Sequence, residues 1–228
     1  MDNQKEKLEH FYFNIQGWFN YADVYDMALA WFGDDSHFVE IGSWKGRSSA
    51  YMATNIHNSG KKIKLDCVDT WKGSPEHNFS PEEIEARFKA GKMDKGLYYQ
   101  LKNLKKEKLY KQFLTNIKPV KHIITPVKME SLKAAEQYKD GSLDFIMIDG
   151  AHDHENVYQD IMAWKPKLKK TGILAGDDFR EDGVRAGLSR YATEVGDEPL
   201  LLSSNAFPAW IMATKDKKIQ DHWRTPIT

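Results

Sequence analysis

Three aspartates stand where two apolar runs stop. Asp149 follows Leu143-Asp144-Phe145-Ile146-Met147-Ile148, and Asp177-Asp178 follow Gly172-Ile173-Leu174-Ala175-Gly176. If both runs are parallel strands of one sheet, all three carboxylates emerge at its C-terminal edge, where open α/β sheets bind ligands. Three such groups without cationic partners repel one another. A hard divalent cation such as Mg²⁺ relieves that repulsion, and it completes its shell with water and substrate oxygens. The plainer alternative is that one or two of them cap the helices that follow. His152, three residues beyond Asp149 on the same rim, is placed to take a proton from a substrate hydroxyl. His154 lies two residues further round and ranks below it.

A second constellation lies earlier, in Val39-Glu40-Ile41-Gly42-Ser43-Trp44-Lys45-Gly46-Arg47-Ser48-Ser49. An acidic residue and a glycine end a strand, and a second glycine precedes a helix that begins near Ser48. Gly42 and Gly46 remove side chains that would block a cofactor from the backbone, and the helix start offers unpaired amides. A dinucleotide pyrophosphate prefers the tighter G-x-G-x-x-G spacing, which is absent, so a nicotinamide-dependent oxidoreductase is disfavoured. Glu40 suits a cationic ligand instead, such as the sulfonium and amino group of S-adenosylmethionine. Asp69, followed by Thr70 and Trp71, ends the next strand, where an acidic side chain accepts two ribose hydroxyl hydrogen bonds in doubly wound folds. An ordinary strand-to-helix turn and a turn-capping aspartate are the bland readings of these two features.

The elements that must position these residues follow from the alternation of short apolar runs with longer amphipathic stretches, the pattern of a parallel sheet covered by helices. Strands are expected at 37–42, 62–69, 122–128, 143–149, 172–177, 200–203 and 209–213. About five residues around Asn205, Ala206 and Pro208 separate the last two, which is hairpin length, so the sheet ends in an antiparallel strand. After Asp149 a helix carries Val157, Ile161, Trp164 and Leu168 as a buried stripe, with Pro166 kinking or restarting it. Residues 72–118 exceed what a simple crossover needs. There Ser80-Pro81-Glu82-Glu83 reads as a helix start, with Ser80 as its cap. The lysine-rich stretch 101–111 is either a solvated helical insert or a lid that attracts an anionic substrate. Residues 1–36 form an aromatic helical segment that covers the sheet, lines the pocket or meets a second copy in a homodimer.

The 228 residues, with 33 Lys+Arg against 33 Asp+Glu, fit one α/β domain over 1–228 and give no electrostatic footprint for nucleic acid. Apolar runs are too short to span a membrane, and no export signal is visible, so a cytoplasmic location is expected. The single cysteine, Cys67, lies among apolar strand neighbours and reads as structural.

Together, Val39 to Ser48, Val68-Asp69-Thr70-Trp71, Asp144 to His152 and Gly172 to Asp178 resemble class I S-adenosylmethionine-dependent methyltransferases. The resemblance is closest to the small-molecule branch of macrocin O-methyltransferase-like enzymes and covers about Phe38 to Lys215. It implies a Rossmann-like, doubly wound, seven-stranded mixed sheet whose last strand is antiparallel. It places Glu40 and Gly42, with Ser43, Gly46 and Ser48 of the same loop, beside the methionine part of the cofactor. Asp69 would hold the ribose, and Met129, Glu130 and Ser131 would lie near adenine, while Trp71, which follows Asp69 and Thr70, borders either the adenine or the acceptor site. Metal-dependent members carry acidic or amide ligands at these strand ends, which adds weight to Asp149, Asp177 and Asp178 as Mg²⁺ ligands, with Asp149 and His152 at the chemistry. The insert after Trp71 departs from the family's plainest form. The expected activity is methyl transfer to a hydroxyl of a small molecule, with a sugar ahead of a phenol or catechol. Metal-free N-methylation and a non-catalytic cofactor-binding module are the alternatives.

Overall fold

The computed structural model describes residues 6–73, 79–102, 108–196, 200–202 and 209–212. Strands β1 (His37–Ile41), β2 (Lys64–Asp69), β3 (Ile124–Lys128), β4 (Leu143–Ile148), β5 (Leu168–Gly176), β6 (Leu200–Leu202) and β7 (Ala209–Met212) form one sheet in the order β3-β2-β1-β4-β5-β7-β6. The first five pair in parallel, whereas β7 runs antiparallel to both β5 and β6. The mixed, doubly wound sheet with an antiparallel last strand is therefore present as expected. The 203–208 connection and the expected strand ends at 203 and 213 lie outside the described residues. Pro126 sits in β3, an edge strand, where its missing N–H breaks no central ladder.

Alternation along β1 sends its side chains into two cores. Phe38 joins Cys67, Phe145 and Ile173 beneath helices α1 (Ala22–Trp31) and α2 (Arg47–Ser59). Val39 and Ile41 join Ile146 and Leu174 beneath α6 (Ser131–Ala135), α7 (His154–Trp164) and α8 (Asp182–Val195). Cys67 is fully buried, and burial pushes its thiol up, as suits a structural residue. The expected stripe on α7 buries Val157, Ile161 and Trp164, but Leu168 belongs to β5. Pro166 explains the difference. Lacking an N–H, it turns the chain through a 3-10 turn at Lys165–Lys167, so β5 starts four residues before the apolar run at Gly172.

The insert divides into two parts. Helix α3 (Pro81–Lys89) begins with the expected capping box, in which Glu83 N–H donates to Ser80 Oγ (3.2 Å) and Ser80 N–H donates to Glu83 Oε2 (2.8 Å). It packs against α4 (Lys95–Lys102) through Ile84, Met93, Tyr98 and Leu101, a small core of their own. Helix α5 (Leu109–Asn116) instead enters the main core through Leu109 and Phe113, both fully buried. Residues 103–107 between the two parts lie outside the described residues. Among the described residues, no helix is long and apolar enough to cross a membrane.

Candidate active site

The strand order reverses between β1 and β4, so the loops leaving their C-terminal ends face one crevice. The loop after β1 is held by its glycines for reasons the sequence did not disclose. Gly42 has φ +93°, and a Cβ there would lie 1.9 Å from the Asp149 carbonyl oxygen. Gly46 has φ +83°, and a Cβ there would lie 2.9 Å from Ile117 and 3.0 Å from the Phe113 ring. Both positions are thus demanded by protein neighbours, the residue after β4 in one case and the α5 region in the other. Gly46 also serves as the N-cap of α2 and gives it no side-chain cap, so the first amides of that helix stay open to a ligand. Ser43 and Ser48 are buried in this loop and helix start.

Glu40 faces the α1–α2 layer, on the same side of β1 as Phe38. It is 1% exposed, and it accepts from Tyr25 OH (2.7 Å) and from Ser49 Oγ. Asp69 ties three loops together. Its Oδ2 accepts from Trp44 N–H (2.7 Å) and its Oδ1 from Trp71 N–H (2.5 Å), while the Trp71 indole donates to Trp44 O (2.7 Å). Burial raises the Asp69 carboxyl above the usual range, and the Trp71 and Trp44 amides counter part of that rise. Trp44 (φ 40°) and Trp71 (φ 51°) both hold left-handed backbone that is costly for a bulky residue, and such strain concentrates at functional sites. The Thr70 amide also favours the charged carboxylate, and of about four acceptor positions on that carboxylate at least one is left for a ribose hydroxyl. Met129 N–H donates to Asp69 O (3.0 Å), which brings the expected adenine neighbour Met129 beside Asp69. Glu130 is exposed. Ser131 is committed to the α7 side, donating to Asp160 (2.5 Å) and accepting from the Trp164 indole (2.8 Å).

Across the crevice, Asp149, His152 and Asp178 each bring one ligand atom to within 4.8 Å of the others. Among the described residues this is the one such grouping, and it replaces Asp177 of the expected trio with His152. His152 Nε2 lies 2.9 Å from Asp178 Oδ2, and Tyr21 OH donates to Asp149 Oδ2 at 2.8 Å. Asp177 is 7% exposed; its N–H donates to Ile148 O (3.2 Å), its carbonyl accepts from the Trp210 indole (3.1 Å), and its Oδ1 is buried without a hydrogen-bond partner. Burial raises the Asp149 carboxyl well above its ordinary value, and the Asp177 and Asp178 charges raise it further. Burial and the charge of Asp178 likewise push Asp177 up to about 7. A divalent cation fits this set. It would neutralise the crowded carboxylates of Asp149 and Asp178. Asp178 itself adopts φ 56°, the left-handed region, which turns its side chain back toward His152.

Tyr21 and Tyr25 are the residues that sequence reasoning missed. They come from the front of α1, 128 and 15 positions from their partners, and the aromatic density of the N-terminal stretch was the one available signal. Arg185, near the start of α8, pairs with Asp182 on its own helix.

The sequence matches a family model described as a methyltransferase domain over residues 39–179. A comparison with curated protein sequences finds no match. Among solved structures, the chain is similar to the O-methyltransferase NovP, with TM-score 0.58, 13% identity, and 86% of this chain and 80% of that one covered. It is similar to the calicheamicin methyltransferase CalS11, with TM-score 0.52, 18% identity and coverages of 86% and 78%. It also resembles SMU.1697c of Streptococcus mutans, a putative methyltransferase solved with SAH, with TM-score 0.50, 10% identity and coverages of 87% and 99%. At these identities the likeness is one of fold.

Proposed function

The chain belongs to the methyltransferase-domain family, and on that premise we propose that it transfers the methyl group of S-adenosylmethionine to a hydroxyl oxygen of a small molecule with help from a divalent cation. The observation that carries the proposal is the crowding of Asp149, Asp177 and Asp178 around His152 at the crevice between β1 and β4. A hydroxylated sugar is the leading acceptor class, with a phenol or catechol behind it, and the expected setting is the cytoplasm.

In this reading Asp69 accepts the ribose hydroxyls, Met129 lies beside adenine, and the loop from Gly42 to Gly46 receives the methionine end. Asp149 and Asp178 hold the cation, with Asp177 behind them. Bound S-adenosylmethionine supplies an electrophilic methyl on sulfur, and a bound Mg²⁺ lowers the hydroxyl pKa and orients acceptor oxygens. His152, whose Nε2 lies 2.9 Å from Asp178 Oδ2, is the group that takes the acceptor's proton. A positioned base contributes about 10²–10⁴-fold, and alignment of the two substrates contributes more. His152 and Asp178 are 33% and 28% exposed, open enough for an acceptor to reach them. Of the insert, the α3–α4 pair, packed on its own small core, suits a lid.

A second reading, metal-free N-methylation, is favoured by one observation: hydrogen bonds to Tyr21 and His152 already engage Asp149 and Asp178 without an ion. Turnover with labelled S-adenosylmethionine and a panel of hydroxylated sugars and catechols, with Mg²⁺ or with chelator, separates the two. The proposal expects chelation and Asp178→Asn each to cut transfer to oxygen by about 100-fold. Transfer to amines that ignores both treatments supports the second reading.

A further inference from the structure

Ahead of α1, the chain turns a set of neutral side chains outward. Asn14, Gln16 and Trp18 are exposed, and between them Ile15 is buried and Gly17 half-buried. Trp18 is 55% exposed, although an indole this large gains more than most side chains from burial. Its ring is nevertheless held against the body of the protein, stacked on Trp44 with centroids 5.4 Å apart and planes 18° apart. The backbone around it is pinned as well. The Gln16 side-chain oxygen accepts from Lys45 Nζ, and the Gly17 carbonyl accepts from Arg47 Nη1 (2.6 Å).

This shelf stands at the crevice. Trp44, on which Trp18 stacks, donates its N–H to Asp69 Oδ2 and accepts from the Trp71 indole. Three residues beyond Trp18, Tyr21 donates to Asp149 Oδ2. Three residues span at most about 11 Å, so the indole stays close to the edge where Asp149, His152 and Asp178 meet. An indole face accompanied by amides, with no charged side chain in the exposed set, matches the chemistry of a neutral sugar. The C–H face of the sugar lies on the ring, and its hydroxyls meet amide groups that both donate and accept. An anionic acceptor would call for a cation among these side chains. A flat phenol would stack on the indole but leave the amides with little to bind.

We propose that Trp18, with Asn14 and Gln16, forms the shelf on which a neutral sugar acceptor stacks, and that it sets the preference for sugars over phenols. The proposal rests on the O-methylation reading above and deepens it by naming the acceptor class. The test is saturation-transfer NMR titration of the complex with S-adenosylhomocysteine. The probes are the methyl glycosides of glucose, galactose, mannose and rhamnose and, separately, catechol; the proteins are wild type, Trp18→Ala and Trp18→Tyr. The expectation is that a glycoside binds wild type with saturation strongest at its ring C–H protons. Trp18→Ala should weaken it about tenfold, and Trp18→Tyr, which keeps an aromatic face, should restore most of the loss. Affinity for S-adenosylhomocysteine and the melting temperature should stay at their wild-type values. Should Trp18→Ala fold poorly, Trp18→Leu, which keeps bulk without a ring, replaces it. Glycoside binding that ignores Trp18→Ala overturns the proposal, and so does a dimer that this variant splits with sugar binding unchanged. Wild type that binds S-adenosylhomocysteine and catechol but no glycoside overturns the shelf and leaves the methyltransferase reading standing. Wild type that does not bind S-adenosylhomocysteine overturns both.

Discussion

Two groups of acids belong to this sheet, and they are treated in opposite ways. Asp66, in β2, is dressed as a structural residue. Its Oδ2 accepts from His37 (2.7 Å), Tyr138 (2.9 Å) and Lys64 (3.1 Å), although its Oδ1, like Asp177 Oδ1, is buried without a hydrogen-bond partner. Burial alone would raise its carboxyl, but the hydrogen bonds and charge of His37, with Tyr138 and Lys64, bring it below the ordinary value. Asp144 beside it accepts from Lys169 (2.8 Å) and from the His37 N–H (2.9 Å). At the C-terminal edge, Asp149, Asp177 and Asp178 have one another for neighbours, and burial together with mutual repulsion raises Asp149 and Asp177. The same residue type is stabilised in one place and frustrated in the other. Frustration that a sequence retains marks a site whose missing partner is a ligand.

The contrast yields tests in descending order of effect. Asp178→Asn is expected to lower turnover by about 100-fold while leaving the folded state as stable as wild type or more so, because it relieves repulsion. Parallel kinetics and urea unfolding check this. Asp66→Ala should do the reverse: it strips the partner from His37, Tyr138 and Lys64 and costs about 2–3 kcal/mol of stability, read in urea, with cofactor affinity little changed. A matching loss of stability in both variants would erase the distinction.

The pH profile sharpens the comparison. A depressed carboxyl such as Asp66 contributes stability that is present above its unfolded pKa, about 3.9, and is lost as pH falls through the lower folded value. Asp177 has the opposite sign. With its folded pKa raised to about 7, the native state binds the extra proton, so stability falls as pH rises from about 4 toward 7. Asp177→Asn should flatten that upper slope and leave the acid limb intact, as thermal melts across pH would register. The smallest effect is expected for Tyr21→Phe. Losing the 2.8 Å bond to Asp149 should cost about 1 kcal/mol in melting experiments and shift Mg²⁺ affinity a few-fold in titration.

How much of this was legible in the sequence depends on how local each cause is. The acids at strand ends, the Ser80 capping box and the antiparallel last strand follow from short-range pattern, and they stand where that pattern puts them. Gly42 and Gly46 were recognised as special, yet the groups that demand them, the Asp149 carbonyl and the α5 side chains, lie far along the chain. Tyr21 on Asp149 has no local signature at all, because nothing near either residue encodes the other. His152 was chosen as a base for its rim position, whereas its bond to Asp178 depends on a left-handed backbone at Asp178 that sequence rules assign to glycine first. Leu168 fitted a helical stripe and became a strand residue because Pro166 intervened.

The central claim is that the crevice between β1 and β4, with Asp69 on its rim, binds S-adenosylmethionine. Calorimetric titration of S-adenosylhomocysteine into wild type and Asp69→Ala, with Mg²⁺ present and then chelated, tests it most directly. Saturable binding to wild type that Asp69→Ala abolishes is the predicted result. Absence of binding to wild type under both metal conditions would contradict the account.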